Sequence, residues 1–539
     1  MLTRTQTDSD ILIVGAGAAG SAAAWSLSRQ GLRVPCLEQG RWIDQSEYAH
    51  SRPDYELARQ KVFHMDPNIR QWDEDYPVNT DNSPIHPLMI NAVGGSTIHW
   101  SGHFPRMRPS DFRVCTLDGV GDDWPLSYWD LEPFYDLNDS MIGVSGLAGD
   151  PGNPPRSPRQ TSPLAFDVAC SIYLRGLDQL GWHWWPSDNA LISSPFGQDR
   201  SPCNACGPCD LGCPIGAMSS AHVTYWPLAI AQGVELITQA RVEQILVDAN
   251  GQATGAIYFD KSGNRHQHNT SVVIMAANGI GTSRILLNST SASFPSGLAN
   301  RSGLVGTHLM FHPVAFVTGV FDERVDGQQG PIGGLMNCQE FYETDRSRGF
   351  VRGFQLQLGG HAGPLTTALG GLIGGPVPWG GGHHRALQTQ FRHALTVTTM
   401  LEDLPESENR ITLDPTLKDT DGIPAPRVEY RLGSNSKDML PFAIARARDL
   451  FKAAGASEIF VDSLVQDSGW HLMGTCRMGN HPERSVVDQW GRSHECGNLF
   501  VIDGSVFTTS GAVNPTSTIQ AIALRCADWL SHHFGEVTA

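Results

Sequence analysis

A short apolar run, Ile11-Leu12-Ile13-Val14, passes directly into Gly15-Ala16-Gly17-Ala18-Ala19-Gly20 and then into an alanine-rich stretch reaching about Gln30. The run has the length and unbroken apolarity of a buried parallel strand. The three glycines have separable tasks. One makes the tight turn, one lets the backbone approach a pyrophosphate, and one lets the helix pack close to the strand. Gly31 stops the helix, and residues 33–38 are predicted as the next strand, which completes a βαβ unit. The helix N-terminus then faces phosphate charge, and Glu38 closes the second strand where a carboxylate binds ribose hydroxyls. The unit alone leaves FAD and NAD both open. Pro35 is discordant, because it removes a ladder donor from a strand that should be internal.

Four of the eleven cysteines lie between residues 203 and 213, as Cys203-Asn-Ala-Cys206-Gly-Pro-Cys209-Asp-Leu-Gly-Cys213, followed by Pro214. Thiolates at this spacing can hold an iron–sulfur cluster, bind zinc or form disulfides. Zinc favours two separated Cys pairs, whereas Cys-x2-Cys-x2-Cys-x3-Cys-Pro is the bacterial iron–sulfur spelling. In two-cluster ferredoxins the last Cys of such a run serves the other cluster, so one run need not supply all four ligands. The remaining cysteines are scattered and read as buried thiols, with no disulfide framework.

A net charge of −17 argues against a nucleic-acid partner. No apolar stretch is long enough to span a membrane, and the first residues lack the apolar region of a secretory signal. With 539 residues, two or three sub-cores are expected. Segments at about 45–90 and 145–200, rich in Pro, Gly, Trp and Asp, read as excursions. Residues 272–279 read as a strand leading into a helix at 282–289. Residues 499–503 form another apolar strand, and 516–532 a helix with Ile519, Ile522, Ala523 and Ala527 apolar. Residues 313 to about 440 are poor in helix signals and rich in Gly, including 370–382, which fits a sheet with long loops.

A second glycine site follows in Asn91-Ala-Val-Gly94-Gly95-Ser-Thr-Ile-His99-Trp100, where paired glycines let a flat ring or phosphate lie against bare backbone. A lone His is more often a core or surface group than a catalyst. What lifts His471 is its glycine-punctuated loop, His471-Leu-Met-Gly-Thr-Cys-Arg-Met-Gly479, together with Asp503 at a strand end and Asn514-Pro515-Thr516. These segments, with Val305-Gly306 through His312-Pro313 and Ala276-Ala-Asn-Gly279, resemble the glucose–methanol–choline (GMC) oxidoreductases over nearly the whole chain. Within that family the cysteine run and Pro214-Ile-Gly-Ala-Met218 look like the catalytic subunits of bacterial FAD sugar dehydrogenases of the glucose, fructose, sorbitol and glucoside 3-dehydrogenase types.

The resemblance implies an α/β fold. A Rossmann-like, p-hydroxybenzoate-hydroxylase-like FAD domain would come from residues 1–112, 222–312 and 465–539, with a cluster segment at 196–221. An interleaved α+β substrate domain with a mainly antiparallel sheet would come from 113–195 and 313–464. His471 would be the general base, taking a hydroxyl proton while hydride leaves for flavin N5. A neutral imidazole suits this, with an unperturbed pKa of roughly 6.5. Asn514 would hold the same hydroxyl, and Gly15, Gly17, Gly20, Glu38, Gly94, Gly95, Asp503 and Thr516 would face FAD. His99 occupies the position of the covalent flavin–histidine bond of pyranose oxidases, so a covalent link and a packing role are both open. The similar sugar dehydrogenases hold a three-iron (3Fe-4S) cluster on cysteines matching Cys203, Cys209 and Cys213. Cys206 departs from that spacing, and either completes a 4Fe-4S cubane or stays a free thiol; three irons are favoured.

The function implied is oxidation of a sugar, glycoside or polyol hydroxyl, with electrons leaving through the cluster to a carrier such as cytochrome c. An O2-using oxidase and a non-catalytic flavin/iron–sulfur electron-transfer subunit are the alternatives. Implied partners are a small subunit with a twin-arginine export signal and a multihaem cytochrome c, which would place the protein in the periplasm at the inner membrane; the alternative is the cytoplasm. Trp379 with Gly380-Gly-Gly-His-His384 reads either as a sugar-stacking wall or as a structural loop.

Overall fold

The computed structural model describes residues 8–197, 200–369 and 377–539, so the glycines at 370, 371, 374 and 375 lie outside the described residues. Strand β1 (Ser9–Val14) is buried along almost its whole length. It pairs in parallel with β2 (Cys36–Glu38) on one side and with the second half of β3 (Arg265–Met275) on the other. Leu236–Thr238 extends the sheet beyond β2, and Leu499–Val501 extends it beyond β3, both in parallel. The carboxyl ends of five strands therefore share one edge, the edge at which open α/β sheets bind ligands. The first half of β3 turns to antiparallel pairing with Ala253–Phe259, which pairs in turn with Arg241–Val247.

The strand expected at 33–38 begins at Cys36. Pro35 precedes it and contributes only its carbonyl, which accepts the Ile13 N–H at 3.0 Å. The missing donor thus breaks no ladder bond. Helix α1 (Ala18–Ser28) follows β1, and helix α2 (Asn278–Asn288) follows β3. Helix α2 starts a turn earlier than its sequence suggests. Asn278 sits at φ +66°, and its Oδ1 accepts the N–H groups of Ile280 and Gly281, satisfying donors that helix starts leave open.

Residues 313 onward form the expected antiparallel sheet, ordered Glu458–Asp462, Val314–Val320, Ala394–Leu401, Phe354–Gly359, Met336–Cys338 and Trp185–Pro186. Its central strands alternate. Leu356, Leu358, Leu395, Val397 and Val317 pack into a core with helix Val168–Leu180 and helix α3 (Ser434–Ala453). The other face carries the row Phe316–Thr398–Gln357 and the row Val314–Met400–Gln355. This two-residue period gives the sheet one apolar and one mixed face. Two short helices, Pro364–Leu369 and His383–Gln390, interrupt the region and were not foreseen.

Helix α4 (Thr516–Val537) returns from the edge of the parallel sheet and packs on α1. Helix α1 is buried on nearly every face because alanines fill it; larger side chains would hold the sheet and α4 apart. Gly20 makes this fit possible, since a Cβ there would stand 1.9 Å from the Gly15 carbonyl oxygen. No helix among the described residues is long and apolar enough to cross a membrane. Gly20→Ala is expected to lower unfolding free energy by about 3 kcal/mol, read as a fall in denaturation midpoint. Gly17→Ala, whose Cβ would meet nothing nearer than 4.0 Å, should leave the midpoint of the ligand-free protein in place.

Candidate active site

A cavity of about 540 Å³ opens at the carboxyl edge of the parallel sheet and extends to the mixed face of the antiparallel one. Gly15, Gly17, Glu38 and Gly95 line it, as do His471, Asn514, Thr398 and Met400. The two glycine sites of the sequence meet here. The Gly94 N–H donates to the Ala16 carbonyl at 2.9 Å, and a Cβ on Gly95 would lie 3.0 Å from the Cα of Gly17. Gly94 and Gly95 adopt φ +97° and +55°, a region that favours glycine. Helix α1 begins beside this contact with no side-chain cap, leaving its first N–H groups for an anion. Glu38 accepts N–H bonds from Ala16 at 2.7 Å and Gly40 at 2.8 Å, while burial pushes its carboxyl up to about 7.

His471 sits in a hydrogen-bonded chain that defines its tautomer. His312 Nε2 lies 2.7 Å from the Gly511 carbonyl, which can only accept, so His312 carries its proton on Nε2. His312 Nδ1 is therefore bare, and it lies 2.7 Å from His471 Nδ1. His471 must donate from Nδ1, which leaves Nε2 with a free lone pair. Burial and the neighbouring His312 and His103 hold His471 well below the ordinary histidine range, so the ring is neutral. Burial likewise brings His312 down to about 4.

The loop supplying the Gly511 carbonyl is tied at several points. Tyr342 Oη accepts the Ala512 N–H at 3.2 Å, Ser510 Oγ donates to the Asp403 carbonyl at 2.8 Å, and Thr509 Oγ1 donates to the Asp111 carbonyl at 2.8 Å. Asn514 follows, its Oδ1 accepting from Gln355 at 3.2 Å. Thr516 opens α4 at the cavity wall. Asp503 accepts from Thr282 Oγ1 at 2.6 Å and from the Ser505 N–H at 2.9 Å, and burial raises its pKa.

The cysteine run wraps against the same cavity. All four thiols are free; Cys203, Cys209 and Cys213 are half-buried and Cys206 is exposed. The Met218 N–H points at Cys213 Sγ at 3.4 Å, and the Ile332 and Ala205 N–H groups bond to Cys209 and Cys203. Burial, then Cys213 and Cys203, push the Cys206 thiol up to about 11. Pro208 and Asp210, from within the run, line the cavity. The Asp210 carbonyl accepts from His99 Nδ1 at 2.8 Å, which leaves the buried His99 Nε2 without a partner on the cavity wall.

Family models for GMC oxidoreductases match residues 164–314 and 405–523, and one for an NAD(P)-binding Rossmann-like domain matches 13–43. The 2-methyl-1,2-propanediol dehydrogenase of Mycolicibacterium austroafricanum is 42% identical over 99% of this chain and 97% of its own. This chain belongs to the GMC oxidoreductase family. Another relative, the fructose dehydrogenase large subunit of Gluconobacter japonicus, is 29% identical over 96% of this chain and 97% of its own. The paromamine 6'-oxidase of Streptomyces fradiae is 30% identical over 98% and 93%. The solved pyridoxine 4-oxidase from Mesorbium loti shares the fold, with a TM-score of 0.65 at 16% identity, covering 98% of this chain and 100% of that one.

As a GMC oxidoreductase the chain binds FAD and oxidises hydroxyl groups. The cavity fits that cofactor: a slot between glycines that a Cβ would fill, an uncapped helix start, Glu38, and a bare buried nitrogen on His99. The structure gathers all the sequence-nominated cofactor and catalytic residues around this cavity or directly behind its wall. Trp379 is the exception among the features singled out. It is 82% exposed, stacks on His383 with centroids 5.6 Å apart, and does not line the cavity, so it belongs to a surface loop. Sequence reading missed the role of His312, whose partners lie 159 and 199 residues away; its only signal was its place in a matched segment. Gly95→Val is expected to yield protein purified without flavin, checked by the visible absorbance per protein.

Proposed function

We propose that this enzyme is an FAD-dependent dehydrogenase of sugars, glycosides or polyols that hands its electrons through an iron–sulfur cluster in the 203–213 loop to an external carrier such as cytochrome c. The observation that carries the reading is the single hydrogen bond from His99, on the cavity wall, to Asp210 inside the cysteine run. A cluster held there would stand beside the flavin pocket, as a device for removing electrons requires. FAD, when bound, supplies the hydride acceptor. The chain's own part is to hold and deprotonate the substrate. His471 Nε2 takes the hydroxyl proton, and Asn514, whose Oδ1 is occupied by Gln355, offers its Nδ2 donors to the same oxygen.

The donor set suits a cluster, with four free thiols and backbone N–H groups aimed at three of them. The exposure of Cys206 supports a three-iron cluster on Cys203, Cys209 and Cys213. His99 Nε2 is the atom at which a covalent flavin bond would form, and flavin that stays with acid-precipitated protein is the sign of it. The relatives named for a diol and for fructose support a polyhydroxy substrate. The relative named as a large subunit supports an assembly, for which a small subunit bearing a twin-arginine signal, a multihaem cytochrome c and a periplasmic site at the inner membrane complete the proposal. The aminoglycoside oxidases among the relatives favour a second reading, an oxidase using O2, which would release peroxide without any added mediator.

In anaerobically purified protein, iron, labile sulfide and flavin are expected together, and a sugar or polyol should bleach the flavin. Cys209→Ser should keep that bleaching while losing at least about 10-fold in reduction of added cytochrome c; equal rates in both proteins would remove the cluster from the pathway. Because His471 is held below the ordinary histidine range, its base form persists as pH falls. The anaerobic flavin-reduction rate should stay level from about pH 8 to about pH 6, where an unperturbed histidine would already be losing it.

A further inference from the structure

His103 is 2% exposed and lines the cavity, yet neither of its ring nitrogens has a hydrogen-bond partner. Buried polar groups without partners are rare enough to require a cause. The backbone around the ring is fixed: Phe104 N–H donates to the Asp188 carbonyl at 2.8 Å, and Ala190 N–H donates to the Gly102 carbonyl at 2.7 Å. The backbone that carries the side chain is therefore held in place on both sides. His103 lines the same cavity as His471 and is among the neighbours that hold His471 below the ordinary histidine range, which sets it on the base's side of the chamber. Burial brings His103 down to about 4, so the ring is neutral and offers one donor and one acceptor.

The rest of the chamber wall is neutral in the same way. His361 Nε2, Gln328 Oε1 and Thr366 Oγ1 line it, buried and unpartnered. The charged lining residues are matched from within the protein: Arg59 by Asp210, Arg284 by Asp419, Asp467 by His86, and Glu38 and Asp503 by the donors already described. No free charge among these asks for an ionic substrate. A hydroxyl group, which both donates and accepts at one atom, can pair with whichever nitrogen of a neutral imidazole faces it. We propose that His103 binds a second hydroxyl of the substrate, beside the one oxidised, and so selects polyhydroxylated molecules over simple alcohols. This rests on the dehydrogenase reading above and adds to it a residue that discriminates between substrates.

The test is anaerobic flavin reduction in the flavin-loaded enzyme, followed with paired probes that differ by one hydroxyl: 2-methyl-1,2-propanediol against 2-methyl-1-propanol, and glucose against 2-deoxyglucose. If no probe bleaches wild-type flavin, the dehydrogenase reading itself falls. If wild type is reduced by the fuller member of a pair no better than by its deoxy partner, only the assignment of His103 falls. Otherwise His103→Ala should cut the preference for the fuller member at least about 10-fold, mainly through the half-saturating concentration, with the limiting rate changed far less. His103→Asn, which keeps a donor and an acceptor, should recover most of the preference, and it decides the matter should the alanine variant fail to fold. An unaltered preference in both variants, or a flavin spectrum and midpoint potential shifted before substrate is added, would overturn the proposal.

Discussion

Two stretches of backbone touch at Gly17 and Gly95, and most of the molecule is arranged to let them. A Cβ on Gly95 would press on the Cα of Gly17 at 3.0 Å and strain the Gly94-to-Ala16 hydrogen bond beside it. The contact in turn requires that α1 lie close against β1, which Gly20 permits by leaving room for the Gly15 carbonyl. It also requires that the turn bearing Gly17 be braced from behind. Trp226 does part of this by donating its indole N–H to the same Ala16 carbonyl at 2.9 Å. A pyrophosphate site built this way draws its affinity for charge from backbone dipoles and an open helix start.

The second half of the site depends on desolvation. His99, His103, His312 and His471 are each held neutral by burial, so three imidazoles can share the cavity wall, with His312 against His471 behind it, without mutual repulsion. In neutral rings, hydrogen bonding alone decides which nitrogen keeps the proton. A carbonyl at Gly511 fixes His312, and His312 fixes His471; a carbonyl at Asp210 fixes His99. Backbone oxygens, which never titrate, thus set the protonation pattern of the site.

Features that rest on neighbours in sequence were legible from the start. The strand, glycine turn and helix at 11–28 are local physics, as is the cysteine spacing, and the structure keeps them within a few residues. Boundaries moved where a single side chain intervened: Pro35 delayed β2, and the Asn278 carboxamide advanced α2 by a turn. His471 could be nominated from its loop and its match to a family, but its tautomer depends on partners far along the chain. His103 was invisible because what marks it is the lack of partners, which only a packed interior can reveal. Trp379 needed the structure to choose between its two readings, since a tryptophan among glycines reads alike on a cavity wall and on an outer loop.

The strand Leu499–Val501 and helix α4 lie at the far end of the sequence from β1, yet they complete the parallel sheet and pack on α1. Asp503, Asn514 and Thr516 come with them to the cavity. During synthesis the nucleotide loop is made first, but the chamber has no finished wall until more than five hundred residues have been translated. Cofactor insertion is therefore a late step in biogenesis, and a nascent or truncated chain would expose an unfinished pocket to chaperones and proteases rather than to flavin.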